Sequence, residues 1–270
     1  MSFFRTTAIL SALIVGNSAF AASPEELDQL YDAMGLPRLM DIMRIEGLNQ
    51  GEQLEADMLG GDGGEGWNAL LDGIYSTETM SETFRIGFDA VLEEVDVAPL
   101  LAFYASALGA EVVSLELAGR EALLDEDLEA AAEAAFEDLD DDARRSALEV
   151  FIEQNNLIDL NVMGGLNSSL AFYEGMADGG LPITEDQMLQ DVWSQEPDLR
   201  DSTETWIYSY LNLAYEPLDA DDLKQYIDVT GSEAGKALNR ALFEGFDQVF
   251  IDISRALGRA SAIFSRGEEL

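Results

Sequence analysis

The chain nearly repeats itself when it is shifted by 126 residues. This shift aligns Trp67 with Trp193, and it aligns the Ser-Thr-Glu-Thr sequence at 76–79 with an identical one at 202–205. Short solenoid repeats have periods of about 20–50 residues, so this period is too long for them. The spacing instead predicts two related modules, each built from several secondary-structure elements.

The first residues have the pattern of a secretory signal. Arg5 supplies a positive charge, an apolar stretch follows at 8–16, and the small-residue sequence Ala-Phe-Ala at 19–21 precedes a predicted cleavage site. The alternative is an N-terminal membrane anchor, but the apolar stretch is shorter than the roughly 20 residues that a spanning helix needs. We therefore expect residues 1–21 to be a removed signal peptide, and the mature chain to lie in the periplasm without stable membrane insertion.

The composition excludes several classes of chemistry. The chain contains 54 acidic and 14 basic residues, which gives a formal net charge of −40 at pH 7. Nucleic-acid binding depends on Lys and Arg that displace phosphate counterions, so no nucleic-acid partner is expected. The absence of His and Cys from the sequence removes Ser-His-Asp and Cys-His catalysis, thiol redox chemistry and the usual zinc ligands. We expect no cofactor, and the acidic surface is compatible either with solubility alone or with attraction of cations.

Helix signals are frequent along the chain, whereas strand signals are scarce. Three pairs of residues have the spacing of a capping box, in which a Ser or Thr caps a helix and a Glu or Gln three residues later returns the hydrogen bond. The pairs are Ser23 with Glu26, Thr79 with Glu82, and Thr184 with Gln187. Long helices are predicted over 37–59 and, from apolar residues three or four positions apart, over 238–257. The predicted fold class is all-α.

Breaks between these helices divide the mature chain. We expect helical module 1 at 22–119, acidic alanine-rich connecting helices at 120–150, and helical module 2 at 151–270, in a helical array or bundle. A glycine-rich segment at 60–66 lacks the Gly-Lys-Ser/Thr sequence of a phosphate loop, so it is interpreted as a connection between helices. The sequence is compatible with one domain shared by both modules and with two domains.

The connecting stretch contains a partial calcium-loop pattern. Asp138, Asp140, Asp142 and Glu149 occupy the positions that are first, third, fifth and twelfth in such a loop. The sixth position is Ala143, although Gly is normal there because the chain turns sharply. The match is therefore weak, and a solvated turn between two helices explains the same residues.

A short motif occurs in both modules. In each copy an aromatic-containing helix ends, a Ser caps the next helix, and a Gly in the first turn of that helix allows the two backbones to approach closely. The motif residues are Phe103, Tyr104, Ser106 and Gly109 in module 1, and Tyr226, Ser232 and Gly235 in module 2. Capping and packing explain all of these residues, so a structural role is predicted for them.

Through this motif the chain resembles a family of secreted bacterial proteins grouped as domain of unknown function 2059. The family stretch runs from Leu through an aromatic pair to Ser, Pro, any residue and Gly. Residues 100–109 and 223–236 are similar to it, with Ala107 and Glu233 at the position of the Pro. The resemblance implies an all-helical, exported protein of the bacterial envelope. It implies no reaction and no functional residues.

Three functions are compatible with these features. We expect noncatalytic binding or interaction with an envelope protein, because the helical modules are duplicated and aromatic residues are concentrated at 206–215. Those aromatic residues either line a groove between the modules or belong to the core. The second function is a hydrolase that cleaves cell-wall glycan with two carboxylates, since that chemistry needs no His. The third is an acidic envelope protein that calcium stabilises. No catalytic residues are predicted.

Overall fold

The computed structural model describes residues 21–60 and 63–266 of the chain. Thirteen α-helices and no strand are present in these ranges, which confirms the all-α prediction. The helices are α1 (Pro24–Ala33), α2 (Leu36–Leu59), α3 (Gly64–Ile74), α4 (Thr77–Leu92), α5 (Ala98–Tyr104), α6 (Ala107–Ala122), α7 (Glu126–Glu137), α8 (Asp142–Gln154), α9 (Leu157–Asp178), α10 (Glu185–Ser194), α11 (Glu196–Tyr215), α12 (Ala220–Thr230) and α13 (Glu233–Phe264). Residues 1–20 of the predicted signal peptide lie outside the described residues.

Side-chain caps determine where several helices begin. Ser23 and Thr184 begin α1 and α10 through the predicted capping boxes. The predicted box of Thr79 and Glu82 is wrong, because Ser76 caps α4 one turn earlier. The backbone of Ser76 is extended, and its hydroxyl accepts a hydrogen bond from the Thr79 amide at 3.4 Å. A Ser that precedes the helix in this conformation satisfies the free amide groups of the first turn.

The main hydrophobic core extends across both predicted modules, and a smaller cluster of Val162, Leu166 and Val192 lies apart from it. The C-terminal helix α13 packs along α9 of module 2 and also along α4 of module 1. The rings of Phe84 in α4 and Phe246 in α13 are 4.6 Å apart between centroids. On the other side, a side chain at Gly258 of α13 would overlap the carbonyl oxygen of Phe172 in α9. α13 therefore lies between α9 of its own module and α4 of module 1, and it joins the two modules.

The two copies of the repeated motif have the same local geometry. The hydroxyl of Ser106 accepts a hydrogen bond from the Gly109 amide at 3.0 Å, and that of Ser232 accepts one from the Gly235 amide at 3.0 Å. At both glycines an added Cβ would overlap a carbonyl oxygen of the preceding helix. Ser106 and Ser232 thus cap α6 and α13, and Gly109 and Gly235 allow close packing.

The two tryptophans that the repeat aligns have different environments. Trp67 is fully buried, and its indole Nε1 donates a hydrogen bond to the carbonyl oxygen of Gly51 at 3.0 Å. Trp193 is 59% exposed. The duplication stays a prediction from the sequence, and the two aligned tryptophans differ in burial.

A helix that spans a membrane needs roughly 20 predominantly apolar residues. Among the described residues, no single helix is both long and apolar enough to cross a membrane. Helices α5 and α6 meet the length and composition of a span only when taken together, and a bend of 74° separates them.

Candidate functional site

A cavity of about 530 Å³ lies between α2, α5, α6, α8, α9, α11, α12 and α13. Most of its lining is aliphatic or aromatic. The apolar lining side chains include Leu39, Met43, Leu100, Phe151, Leu238, Leu242, Phe243 and Phe246. Its volume falls within the roughly 300–1,000 Å³ of pockets that bind small molecules. We call it the apolar cavity.

Glu116 of α6 places a carboxyl group on the wall of the apolar cavity. The hydroxyls of Tyr215 and Tyr226 donate hydrogen bonds to its Oε1 at 2.6 and 2.8 Å. The hydroxyl of Tyr210 donates to the backbone carbonyl oxygen of the same residue at 3.1 Å. Phenols from α11 and α12 therefore hold one residue of α6 in a fixed position.

The environment of this carboxyl group changes its proton affinity. Burial raises the pKa of Glu116, and the hydrogen bonds from Tyr215 and Tyr226 oppose this rise only in part. Glu116 retains some accessible surface, but it lines the cavity and protein surrounds its carboxyl group, so that group is removed from bulk water. A carboxylic acid in such a site keeps its proton to a higher pH than one on the surface.

The surrounding phenols are also shifted. Burial is the main reason that the pKa values of Tyr104, Tyr210, Tyr215 and Tyr226 are raised, and the nearby Glu116 carboxylate adds to the effect in each case. These four groups therefore stay protonated at neutral pH and act as hydrogen-bond donors.

A half-buried ion pair lies beside the apolar cavity, and Arg120 of this pair lines the cavity wall. Nε and Nη2 of Arg120 donate hydrogen bonds to Oε1 and Oε2 of Glu46 at 2.6 and 2.7 Å. The guanidinium also lies over the ring of Trp206, at 5.1 Å from its centroid. Burial lowers the pKa of Arg120, but the hydrogen bonds and charge of Glu46 outweigh this, so the pKa is raised overall. The guanidinium is thus charged and already paired.

A second, polar depression begins on the other side of this ion pair. It has a volume of about 1180 Å³, lies between α2, α7 and α11, and shares Arg120 and Asn161 with the apolar cavity. We call it the acidic groove. Its acidic residues are Glu46, Glu52, Glu126, Glu129, Glu133, Asp198 and Asp201. The excess of carboxylates makes the electrostatic potential at this end of the cavity negative.

One further carboxyl group lines the apolar cavity. Asp247 lies on α13 near Phe243, Phe246 and Phe250. Burial raises the pKa of Asp247, and the charge of Glu244 on the same helix adds to the effect. Phe250 is 40% exposed, so this region of the cavity is close to the protein surface.

The structure brings part of the predicted motif to this site. The rings of Phe103 from the first copy and Tyr226 from the second stack at 5.6 Å with an interplanar angle of 6°. Tyr104, Tyr226 and Gly235 line the apolar cavity, whereas Ser106 and Ser232 act as caps. The serines of the motif therefore begin helices, and two of its tyrosines contribute to the cavity.

The partial calcium-loop pattern is divided between elements. Asp138 ends α7, Asp140 lies in the connection, and Asp142 and Glu149 lie in α8. Across residues 21–60 and 63–266, no group of three or more acidic side chains is arranged to hold a metal ion. The Asp141 side chain instead accepts hydrogen bonds from the amides of Ala143 and Arg144, as an N-terminal cap of α8.

The aromatic residues of α11 divide between the two predicted environments. Tyr215 is buried, Tyr210 lines the apolar cavity, and Trp206 lines the acidic groove. The ring of Tyr208 stacks on that of Phe136 at 4.9 Å and packs α11 against α7. Both interpretations of this aromatic segment are therefore correct for some of its members.

Sequence reasoning did not single out Glu116 and Arg120. The signal was present, because Glu116 lies three and four positions after Val113 and Val112 and between Leu115 and Leu117. Such spacing places residues on one helix face. A lone carboxyl group on an apolar helix face was the available indication of the site.

No family model, curated protein or solved structure matches this chain. Membership of the family that the motif resembles therefore stays a prediction.

Proposed function

We propose that this chain is a noncatalytic binding protein that encloses a small, largely apolar molecule in the apolar cavity. The observation that carries the proposal is the cavity itself, whose volume of about 530 Å³ combines an apolar lining with a few polar groups. This combination is typical of ligand pockets, in which apolar surface supplies affinity and polar groups set orientation.

The polar groups of the cavity support a role in binding. The carboxyl group of Glu116 is fixed by two phenol hydrogen bonds, at 2.6 and 2.8 Å. Groups held in this way lose little conformational freedom when a ligand binds, which increases affinity. The apolar wall opposite them favours hydrocarbon over sugar, because burial of sugar hydroxyls against apolar side chains leaves them without hydrogen bonds. The cavity thus supports ligand binding better than the alternative of a glycan hydrolase.

The proposed location rests on the sequence alone. A signal peptide at 1–21 and a periplasmic site of action are supported by Arg5, the apolar stretch and the small residues before position 22. A periplasmic protein with this cavity would carry or sense an apolar compound in an aqueous compartment.

A binding experiment tests this function directly. The neutral solvent-sensitive dye Nile red is titrated into the chain from residue 22 onward, and decanol is then added as a competitor. We expect saturable blue-shifted fluorescence that decanol reverses. Ser168 lines the cavity and is half-buried. Ser168→Trp should therefore place a bulky indole ring in the cavity and strongly weaken dye binding.

The matched control is Ser114→Trp, because Ser114 is exposed on α6 and lines none of the cavities described above. This variant should bind the dye as the wild type does. Absence of saturable binding to the wild type, or equal binding by Ser168→Trp, would contradict the proposed function.

A further inference from the structure

The repeat register places residues of opposite character on the wall of the apolar cavity. Under the shift of 126 residues, Glu116 and Arg120 of α6 correspond to Leu242 and Phe246 of α13, and all four line the cavity. One part of the wall is therefore polar, and the corresponding part contributed by the other module is hydrocarbon. Such a lining fits an amphipathic ligand with a polar group at one end and an apolar chain at the other.

The polar part of the wall leaves one hydrogen-bond acceptor unused. Among the described residues, both side-chain hydrogen bonds to the Glu116 carboxyl group reach Oε1, and none reaches Oε2. The phenols of Tyr215 and Tyr226 are occupied in those bonds. A ligand that donates a hydrogen bond to Oε2 would complete the coordination of this carboxyl group, which has capacity on both oxygens.

The charges that line the cavity favour a cation. Glu116 and Asp247 are its acidic residues, and its basic residue, Arg120, is already paired with Glu46 through two hydrogen bonds. The acidic groove adjoins Arg120 on the outside, and the chain as a whole carries a formal charge of −40. A ligand anion would meet this field without a free positive partner, whereas a cation would be attracted by it.

Aromatic rings around Glu116 compensate for the loss of water by a bound cation. Tyr104, Tyr215, Tyr226 and Phe151 all line the cavity, and the Phe151, Tyr215 and Tyr226 rings lie 5.5–5.8 Å from one another between centroids. Ring faces attract ammonium groups, and the effect strengthens where water is excluded. Dehydration of an unpaired ammonium would otherwise oppose binding.

We propose that the apolar cavity selects amphipathic amines, with the ammonium group bound to Oε2 of Glu116 among the tyrosine rings and the alkyl chain along Leu242 and Phe246. This inference rests on the proposed binding function and specifies its ligand class. Binding of the ammonium stabilises the ionised carboxylate, so a protonated Glu116 releases its proton to water when the complex forms.

Three probes of equal chain length test the selection. Decylamine, decanol and decanoate are each titrated as competitors of Nile red for the wild-type chain at neutral pH, below the concentrations at which they form micelles. We expect decylamine to bind most tightly and decanoate least. Because a hydrogen bond between charged groups is stronger than a neutral one, the preference for decylamine over decanol should be roughly tenfold to hundredfold.

Substitution of the carboxyl group separates its effect from the overall charge. Glu116→Gln keeps an oxygen that accepts from both tyrosines, so it should reduce decylamine affinity by at least about tenfold and leave decanol affinity within about twofold. The control is Asp201→Asn, which removes one acidic group from the exposed acidic groove. This variant should retain the preference for the amine.

The outcomes distinguish the two proposals. If decanol does not displace the dye from the wild type, the proposed binding function fails. If decanol binds but decylamine binds no more tightly, or if decanoate binds best, only the selection of amines is overturned. The selection of amines is also overturned if Glu116→Gln and Asp201→Asn weaken amine binding equally, because the general charge of the surface would then explain the preference. The wild-type comparison decides the question even if a variant fails to fold.

Discussion

The close contact between α13 and α9 predicts a large loss of stability from one added methyl group. Gly258 is buried on α13, and a Cβ there would lie 2.8 Å from the carbonyl carbon of Phe172 and 3.1 Å from the amide nitrogen of Met176. It would also overlap the carbonyl oxygen of Phe172. These are backbone atoms of α9, so no side-chain rotation relieves the clash. The two helices must separate.

The size of the effect follows from the distance of 2.8 Å between the added Cβ and the carbonyl carbon of Phe172. Carbon atoms in contact are about 3.5–4.0 Å apart, so Gly258→Ala requires a separation of about 1 Å. Overpacking of this kind costs about 1–3 kcal/mol and sometimes more, whereas Ala is favoured over Gly within a helix by about 0.5–1 kcal/mol. Because α13 packs along much of α9, the displacement affects many contacts. We expect a net loss of about 2 kcal/mol, which lowers Tm by about 4–8 °C for a chain of this size.

The measurement is thermal and urea unfolding of the variant beside a matched control. Gly73 lies on α3, is exposed, and has no heavy atom within 4 Å of an added Cβ. Gly73→Ala therefore experiences only the helix preference of Ala and should gain up to about 1 kcal/mol. If Gly258→Ala is as stable as the wild type with the same urea dependence, the helices are not in contact as described. Dye binding should weaken together with stability, because both helices line the apolar cavity.

Three further predictions concern the site, the core and the repeated caps. Burial raises the pKa of Glu116, so the folded chain keeps the proton of this carboxyl group to a higher pH than the unfolded chain does. The contribution of Glu116 to stability therefore falls as the pH rises from the pKa in the unfolded chain to the pKa in the folded chain. Glu116→Gln should therefore gain stability relative to the wild type in urea titrations from about pH 5 to about pH 8, and a constant difference would contradict this. Trp67→Phe should cost about 1–3 kcal/mol in the same assay, whereas the exposed Trp193→Phe should change stability by less than about 0.5 kcal/mol. Ser106→Ala and Ser232→Ala should each cost about 1 kcal/mol, and clearly unequal losses would show that the two caps are not equivalent.

Local features of the fold were predictable because local physics determines them. The helix expected over 37–59 is observed as Leu36–Leu59, since Pro at its start and Gly60 at its end are conformational signals that adjacent residues supply. The helix expected over 238–257 is longer, from Glu233 to Phe264. Its apolar stripe marks only the part that faces the core, whereas the cap at Ser232 determines where it begins.

The cavity was not predictable, because it depends on contacts between distant parts of the chain. Its hydrogen bonds join Glu116 to Tyr215 and Tyr226, which are 99 and 110 positions away. No local pattern specifies that three helices converge there. The spacing of Glu116 from Val112 and Val113 places a carboxyl group on an apolar face of α6, but its burial and its partners depend on the tertiary structure. Likewise, the repeat aligned Trp67 with Trp193 without showing that only the first is buried.

The repeat relates the polar part of the cavity wall to its apolar part. If the two halves arose by duplication, equivalent positions on α6 and α13 began with the same residues. In the present sequence Glu116 corresponds to Leu242, and Arg120 corresponds to Phe246. Burial of a carboxyl group costs free energy that Leu at the same position does not. Two phenols from α11 and α12 offset this cost without removing it, since the pKa of Glu116 is still raised. Groups kept at such a cost are concentrated at functional sites. The second module has no carboxyl group at the corresponding position. Glu116 is therefore the residue whose substitution should change ligand choice while the fold persists.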